Sequence, residues 1–380
     1  LKAQAIAQRS RAHRRVVRLL KQLCSMAPTK VRRINSRDGK WTLDPVDEGP
    51  MLAEVSGSSI PKLRFSSSMD YSSQGTSCHS SEPDFGSSVS LRLEQVEKHY
   101  KIGSMIGEGG YSRVFKVQSK MNRKFFALKT ITIPAEEDLT SVEAEVSNAS
   151  EFEHPYVLKM HPFFHEGRTY HLVFDLCTGG NLYEYVEEYV RVAKECMPHW
   201  DIGLPIKLAA KYASQMLDGL QYLHHHGFVH RDIKPHNYLK LNNSEDSPLK
   251  LADFGMCRPH RVRIAPEEKL TTALGTKGFV APEVLKYCYD QKADVFSLGI
   301  TIFSICANTI PVDSLDEVAF LKCIKHFDRT KGQVHGPQLH SMVRSMLVFE
   351  PEYRPSVKQL LSDNEWLKNI GKENCPTTSG

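Results

Sequence analysis

The sequence predicts an α+β protein of two lobes, a small β-rich lobe and then a larger α-helical lobe, with an N-terminal extension ahead of them. From about residue 100 to residue 370 the composition is globular, and strand-like runs come first and long helical patterns follow. The most apolar stretch, Val295 to Ile305, is interrupted by polar residues and a glycine, which favours a buried core helix over a membrane span. The predicted parts are a basic helical extension at 1–40, a linker at 41–99, the two-lobed domain at 100–370 and a flexible tail at 371–380.

The composition is that of a soluble globular protein. An apolar fraction of 41% and a charged fraction of 24% exclude collagen-like, wholly disordered and coiled-coil classes. Nine cysteines, without a CxxC spacing, favour free thiols in a reducing compartment, either intracellular or at a membrane periphery. The chain starts with Leu1 rather than Met, which indicates a processed or truncated product.

The basic residues are concentrated at the N-terminus, where residues 3–26 are predicted to form an amphipathic helix. Residues 1–40 hold 12 Lys and Arg against a single acidic residue. Apolar side chains repeat at helical spacing on one face, and arginines repeat on the opposite face. Such a helix suits an anionic membrane surface, an acidic partner or nucleic acid, or it packs on the following domain. An anionic membrane surface is therefore a candidate partner of residues 1–40, and no specific nucleic acid is expected.

The segment that follows is predicted to be a flexible linker. Between Ser56 and Ser90, 14 of 35 residues are serine, and few large apolar side chains occur. Such a segment cannot bury enough apolar surface to offset the entropy lost on ordering.

A glycine-rich run opens the globular part. Residues 106–114 read IGEGGYSRV and lie between two β-rich runs. Glycines let a backbone turn tightly and bring its N–H groups against phosphate oxygens. The run is followed by a strand rather than a helix, which excludes a Rossmann dinucleotide site. A second strand-like run then ends in Lys129.

Four further motifs follow, and together they resemble the eukaryotic protein kinase family. They are His230-Arg231-Asp232-Ile233-Lys234-Pro235-His236-Asn237, Leu251-Ala252-Asp253-Phe254-Gly255, Gly275-Thr276 and Ala281-Pro282-Glu283. The motifs occur in the family's order, and the resemblance covers about 270 of the 380 residues. It implies the bilobal kinase fold, a protein substrate, and ATP and Mg²⁺ as cofactors.

The resemblance also implies roles for polar residues in phosphoryl transfer, a reaction that concentrates negative charge. Asp253 and Asn237 would hold Mg²⁺ through oxygen atoms. Asp232 would orient the substrate hydroxyl and accept its proton, while Lys234 would steady the γ-phosphate. Lys129 would contact the α- and β-phosphates, and it completes the implied catalytic set.

The nucleotide pocket is implied by the same comparison. Lys129 would pair with a glutamate, for which Glu145 fits the family's spacing and Glu143 is the alternative. Adenine would lie between Val114 and Ala127 above and Leu239 below. The full set of implied ATP contacts is Ile106, Gly107, Gly109, Tyr111, Ser112, Val114, Ala127, Lys129, Glu145, Phe174, Asp175, Cys177 and Leu239.

Scaffold and regulatory residues complete the implied site. Asp294 resembles the family's buried aspartate under the catalytic loop, and Glu283 with Arg354 resembles its ion pair under the activation segment. Thr272, with Thr271 beside it, stands where the family commonly carries an activating phosphate, and the implied cationic partners are Arg231 and Arg258. Lys234 and Gly275-Thr276 are similar to the serine/threonine branch rather than the tyrosine branch.

Two alternatives to an active protein kinase come from other classes. One is a pseudokinase that acts as a nucleotide-binding scaffold or partner-binding module, and the other is a small-molecule phosphotransferase on a related fold. The basic extension is also similar to the secreted rhoptry kinases of apicomplexan parasites, which would place the chain in a host cell or at a vacuole membrane.

Overall fold

The structure is a computed structural model that describes the chain mainly from residue 94 onward. The described residues are 94–109, 112–134, 143, 146, 149–197, 203–244, 246–259, 275–286, 290–310, 317–330, 337–363 and 367. The predicted basic helix at 3–26, the serine-rich segment and the tail lie outside them.

The small lobe is a five-stranded antiparallel sheet with the strand order β1-β2-β3-β5-β4, preceded by a short helix. Its elements are α1 (Glu94–His99), β1 (Tyr100–Glu108), β2 (Ser112–Ser119), β3 (Phe125–Thr132), β4 (Phe164–Glu166) and β5 (Thr169–Asp175). Val114 pairs with Lys129, and Ala127 pairs with Phe174. Because side chains alternate along a strand, these four residues share one face of the sheet, and this face lines the cleft between the lobes.

The opposite face of the sheet is covered by α1. Val96 of α1 is fully buried together with Val117, Leu128 and Val173. Tyr100 packs edge-on against Phe126 beside them. The linker was predicted to extend to residue 99, but its last six residues form this helix, because burial of Val96 ties them to the domain.

The large lobe is helical, as predicted. Its helices are α2 (Leu182–Cys196), α3 (Ile206–His225), α4 (Gln291–Ala307), α5 (Glu317–Thr330), α6 (Pro337–Met346) and α7 (Val357–Asp363). Helix α4 contains the predicted apolar segment, and it is buried on nearly all sides between α3 and α6. The side chain of Asp290 caps its N-terminus, and Asn308 ends it in the left-handed conformation.

Two short antiparallel ladders carry the polar motifs to the cleft. β6 (Phe228–Val229) pairs with β9 (Arg258–Pro259), and β7 (Tyr238–Lys240) pairs with β8 (Leu249–Leu251). Residues 230–237 connect β6 to β7, and residues 252–257 connect β8 to β9. Because both connections join the same two ladders, they must lie side by side.

The architecture is therefore the predicted α+β arrangement of two lobes. In the described part of the chain, no helix combines the length and the apolar composition needed to cross a bilayer.

Candidate active site

The loop of residues 230–237 is held from below by a buried carboxylate. Asp294 accepts hydrogen bonds from the backbone N–H groups of His230 and Arg231, each at 2.8 Å. The Nε2 atom of His224 lies 2.9 Å from the same carboxylate. Arg231 has φ of 73°, which a non-glycine residue adopts only at a cost. The hydrogen bonds to Asp294 stabilise this conformation and so fix the direction in which the following residue points.

Asp232 lies at the centre of a ring of hydrogen-bond donors. Its Oδ1 accepts from the Thr276 hydroxyl at 2.8 Å, and its Oδ2 lies 2.7 Å from the Lys234 ammonium. The Asn237 amide donates to the backbone carbonyl of Asp232 at 2.7 Å and to its Oδ2 at 3.0 Å. Lys234 also donates to the Thr276 hydroxyl at 2.7 Å. The carboxylate is thus locked in one orientation before any substrate arrives.

These donors also keep the carboxylate charged. Burial by itself raises the pKa of Asp232, but the hydrogen bond and charge of Lys234, with the hydrogen bonds from Thr276 and Asn237, lower the pKa below its ordinary value. Asp232 is therefore an unprotonated acceptor at neutral pH.

Two oxygen-bearing side chains face the cleft beside Asp232. The Nδ2 atom of Asn237 is used by Asp232, and no described hydrogen bond uses its Oδ1. Asp253 is half exposed, and its Oδ1 lies 3.7 Å from the Nζ of Lys129. A carboxylate and an amide oxygen are hard donors, so this pair fits a Mg²⁺ ion. Asp253 has φ of 64°, the left-handed region, which turns its side chain away from the buried Phe254 that follows.

The cleft face of the small lobe holds most of the predicted nucleotide contacts. Val114 and Ala127 are partly exposed on this face, and Leu239 is partly exposed on the large-lobe side. Phe174 is buried at the back of the cleft. Gly107 pairs with Val114, and a hydrogen bond from the Gly109 N–H to the Ser112 carbonyl, 2.7 Å, closes the glycine-rich turn. Half-exposed Ile106 lies at the end of β1.

The connection between the lobes follows β5. The carboxylate of Asp175, at the end of β5, lies 2.8 Å from the Nε2 atom of His161. This hydrogen bond lowers the pKa of Asp175. Burial raises the pKa of the Cys177 thiol to about 12, so this thiol is not a nucleophile at neutral pH. Gly179 follows Cys177 in this connection. A larger residue does not fit at position 179, because its Cβ would lie 2.4 Å from the Asn242 carbonyl oxygen.

A buried ion pair supports the segment that carries Thr276. Two guanidinium nitrogens of Arg354 donate to the two carboxylate oxygens of Glu283, and the Nη2–Oε2 distance is 2.8 Å. Arg354 also donates to the carbonyls of Lys292 at 3.0 Å and Phe349 at 2.7 Å. The predicted pairing of Glu283 with Arg354 is present, and it ties residues 282–286 to the base of the large lobe.

One side of the loop at 230–237 carries an aromatic pair. The ring of His236 stacks on Tyr183 of α2 with 4.2 Å between ring centroids, and the Tyr183 hydroxyl donates to Glu187 at 2.7 Å. Loss of water around the imidazole and the nearby charge of Lys234 lower the pKa of His236. A neutral aromatic pair therefore stands beside Asp232.

Four predicted residues, Tyr111, Glu145, Thr271 and Thr272, lie outside the described residues. The alternative glutamate, Glu143, accepts a hydrogen bond from the Tyr170 hydroxyl at 3.2 Å. Arg258 pairs with Val229 in the β6–β9 ladder, two residues before Arg231, and it donates to the Cys257 carbonyl at 2.8 Å. The structure thus brings together Lys129, Asp232, Lys234, Asn237 and Asp253.

Three contacts at this site were missed by the sequence prediction. Thr276 was associated with the serine/threonine branch but was not predicted to touch Asp232. His224, which supports Asp294, gave no local signal, because the two residues are 70 positions apart. The stacking of Tyr183 on His236 likewise joins α2 to a distant loop.

The two-lobed fold, with the polar loop around Asp232 in the cleft, defines the class of protein as a protein kinase. The chain belongs to the protein kinase family, since residues 100–367 match the protein kinase domain. The bilobal fold is the kinase fold, as the motifs predicted.

Curated relatives agree with this family. Calcium-dependent protein kinase 4 of Plasmodium falciparum is 27% identical over 279 residues, which cover 71% of this chain and 50% of the relative. Calcium-dependent protein kinase 10 of Arabidopsis thaliana is 29% identical over 286 residues, which cover 73% of this chain and 49% of the relative. The chain therefore spans about half the length of these relatives.

Proposed function

We propose that this chain is a serine/threonine protein kinase that transfers the γ-phosphate of ATP to protein hydroxyls with the help of Mg²⁺. The observation that carries the proposal is the ring of donors from Thr276, Lys234 and Asn237 around the Asp232 carboxylate. This ring holds one charged acceptor in a fixed direction, as proton acceptance from a substrate hydroxyl requires.

The residues divide the reaction between them. Asp232 orients the hydroxyl and accepts its proton while the hydroxyl oxygen bonds to the γ-phosphorus and the bond to the leaving ADP oxygen breaks. Lys234 stabilises charge on the transferred group. Asn237 and Asp253 would hold Mg²⁺, which neutralises phosphate charge when it is bound. Lys129 would bind the α- and β-phosphates.

The position of Thr276 supports a serine or threonine acceptor. Residues 275–286 approach the cleft, and the Thr276 side chain reaches Asp232 directly at 2.8 Å. A substrate backbone that lies along this segment is thus about one short side chain away from Asp232. A serine or threonine hydroxyl is attached to Cβ and fits this distance, whereas a tyrosine hydroxyl projects a whole ring further.

The alternatives gain no support from the site. A pseudokinase that has lost transfer would not need the Asp232 network, which is complete in the described residues. The relatives reported above are calcium-dependent protein kinases, and none of them favours the rhoptry-type subclass. That subclass, the membrane role of residues 1–40 and phosphorylation of Thr272 remain predictions.

The proposal is tested with labelled ATP, Mg²⁺ and three degenerate peptide sets that differ only in a central Ser, Thr or Tyr. We expect phosphate on the Ser and Thr sets and not on the Tyr set. Lys129→Met should abolish transfer, and Lys101→Met, an exposed lysine of the same sheet, should leave it unchanged. Nucleotide binding without transfer to any set would instead show a pseudokinase.

A further inference from the structure

The turn between β2 and β3 presents an apolar tip surrounded by cations. We call Lys116 together with residues 120–125 the β2–β3 tip. Met121 is 91% exposed, more than any other large apolar side chain in the described residues, and Phe125 is half exposed. The ammonium of Lys116 lies 4.3 Å from the centre of the Phe125 ring. Lys120, Arg123 and Lys124 are all exposed.

This exposure is built into a well-bonded turn. The Ser119 N–H donates to the Lys124 carbonyl at 2.9 Å, and the Arg123 N–H donates to the Ser119 carbonyl at 3.0 Å. The side-chain amide of Gln118 donates to the Arg123 carbonyl at 2.9 Å. These bonds hold the backbone of the turn, and the Met121 side chain at its apex is exposed to solvent.

The residues of the tip itself carry charge of one sign, although exposed Glu97 of α1 adjoins the tip and Asp175 pairs with Phe126 beside it. From Lys98 to Pro134 the sequence holds eight basic residues and one acidic residue, Glu108. Glu108 lies at the far end of β1, beside the glycine-rich turn, and it pairs with Arg113 at 3.4 Å. The tip is therefore a cationic surface with no acidic residue of its own.

The tip also lies against α1, the first described element of the chain. The Lys120 N–H donates to the His99 carbonyl at 2.9 Å, and the Lys120 ammonium bonds the Glu97 carbonyl at 2.5 Å. Helix α1 thus meets the tip at the end of the sheet remote from the glycine-rich turn.

We propose that the β2–β3 tip docks on an anionic lipid bilayer. Cations at the surface match the lipid phosphate and carboxylate groups, and an apolar side chain ahead of them matches the acyl chains beneath. Nucleic acid or another uniformly polar polyanion would satisfy the cations but would leave exposed Met121 without an apolar partner. The pairing of charge complementarity with an apolar tip is what favours lipid.

The first experiment measures binding of the full chain to vesicles of phosphatidylcholine with phosphatidylserine and to phosphatidylcholine alone. Arg123→Asn with Lys124→Gln removes two charges, and asparagine tolerates the positive φ of residue 123. At about fivefold per cation we expect roughly 25-fold weaker binding to the anionic vesicles. The matched control, Lys322→Gln with Lys325→Gln, removes two exposed charges from α5 and should bind like the parent chain.

Met121→Asn separates lipid insertion from charge, because it keeps every cation. We expect about tenfold weaker vesicle binding and unchanged binding to heparin, a soluble polyanion. The lipid proposal is overturned if the parent chain ignores anionic vesicles, if the α5 control weakens binding equally, or if Met121→Asn binds vesicles normally. The last result would mark the tip as a general polyanion surface.

A second readout locates the contact directly. Met121→Trp should be quenched by vesicles whose acyl chains carry bromine, whereas Val318→Trp, at a position that is 63% exposed in the large lobe, should not be. Equal quenching of both tryptophans, or quenching of neither, would overturn the proposal. Residues 1–40 are identical in all variants, so a difference in vesicle binding or quenching between two variants reports on the substituted positions.

Discussion

Two neighbouring loops of the large lobe differ in how firmly they hold their carboxylates. Asp232 is bonded to Thr276, Lys234 and Asn237, and its loop is bonded to Asp294. Asp253 is half exposed and lies 3.7 Å from the Lys129 ammonium, beyond hydrogen-bond distance.

This difference fits the proposed function. A proton acceptor is most useful when its direction is already set, because alignment then costs nothing during the reaction. A carboxylate that is to bind a metal ion must instead be open to solvent, because the metal ion replaces the water around it. Asp232 is held by protein contacts, and Asp253 remains exposed.

The largest expected effect contrasts Asp232→Asn with Asp253→Asn. The first should lower the transfer rate by about 10²–10⁴, because proton acceptance and the charge that pairs with Lys234 are lost. The affinity for nucleotide should stay unchanged, because Lys129 and Asp253 are retained. The second should raise the Mg²⁺ concentration needed for nucleotide binding. Rates and nucleotide affinities measured across a Mg²⁺ titration test both. Unchanged Mg²⁺ dependence in Asp253→Asn would place the metal elsewhere.

A smaller effect is expected from the support beneath the loop. Asp294→Asn replaces one acceptor oxygen with an N–H group that faces other donors, so it should destabilise folding by about 1–3 kcal/mol. Urea unfolding and transfer rates should both change. The control is Asp290→Asn at the start of the same helix, where asparagine caps equally well. An equal loss of stability in Asp290→Asn would contradict the claim that the hydrogen bonds of Asp294 to the loop stabilise the fold.

The smallest expected effect is a shift in pH dependence. Thr276→Val removes one of the donors that hold the pKa of Asp232 below its ordinary value, so the pKa should rise. The acidic limb of the kcat/KM profile should then move to higher pH, with little change at neutral pH. Stability supplied by the charged carboxylate is present above the unfolded pKa and is lost as pH falls through the folded one, and this loss should begin earlier in the variant. Thr309→Val, at an exposed position, should leave both profiles unchanged.

The polar residues that lie in short sequence motifs could be predicted from the sequence. Asp232 and Asn237 are five positions apart, and the ladder topology makes their loop adjacent to Asp253. The buried helix predicted around residues 295–305 is observed as α4, Gln291–Ala307. Such features are local, because period-two and period-3.6 patterns depend on residues only a few positions apart.

Sequence alone determined the two-lobed fold class, the buried helix around residues 295–305 and the identity of the central polar residues, because each leaves a local pattern or a motif. Only the tertiary structure decided which distant side chains contact these polar residues. His224 reaches Asp294 across 70 positions, and Thr276 reaches Asp232 across 44. It also decided that Val96 is buried while Met121 is exposed, although both are apolar. Contacts between distant segments and the burial of single side chains depend on how whole elements pack, and no short stretch of sequence specifies that packing.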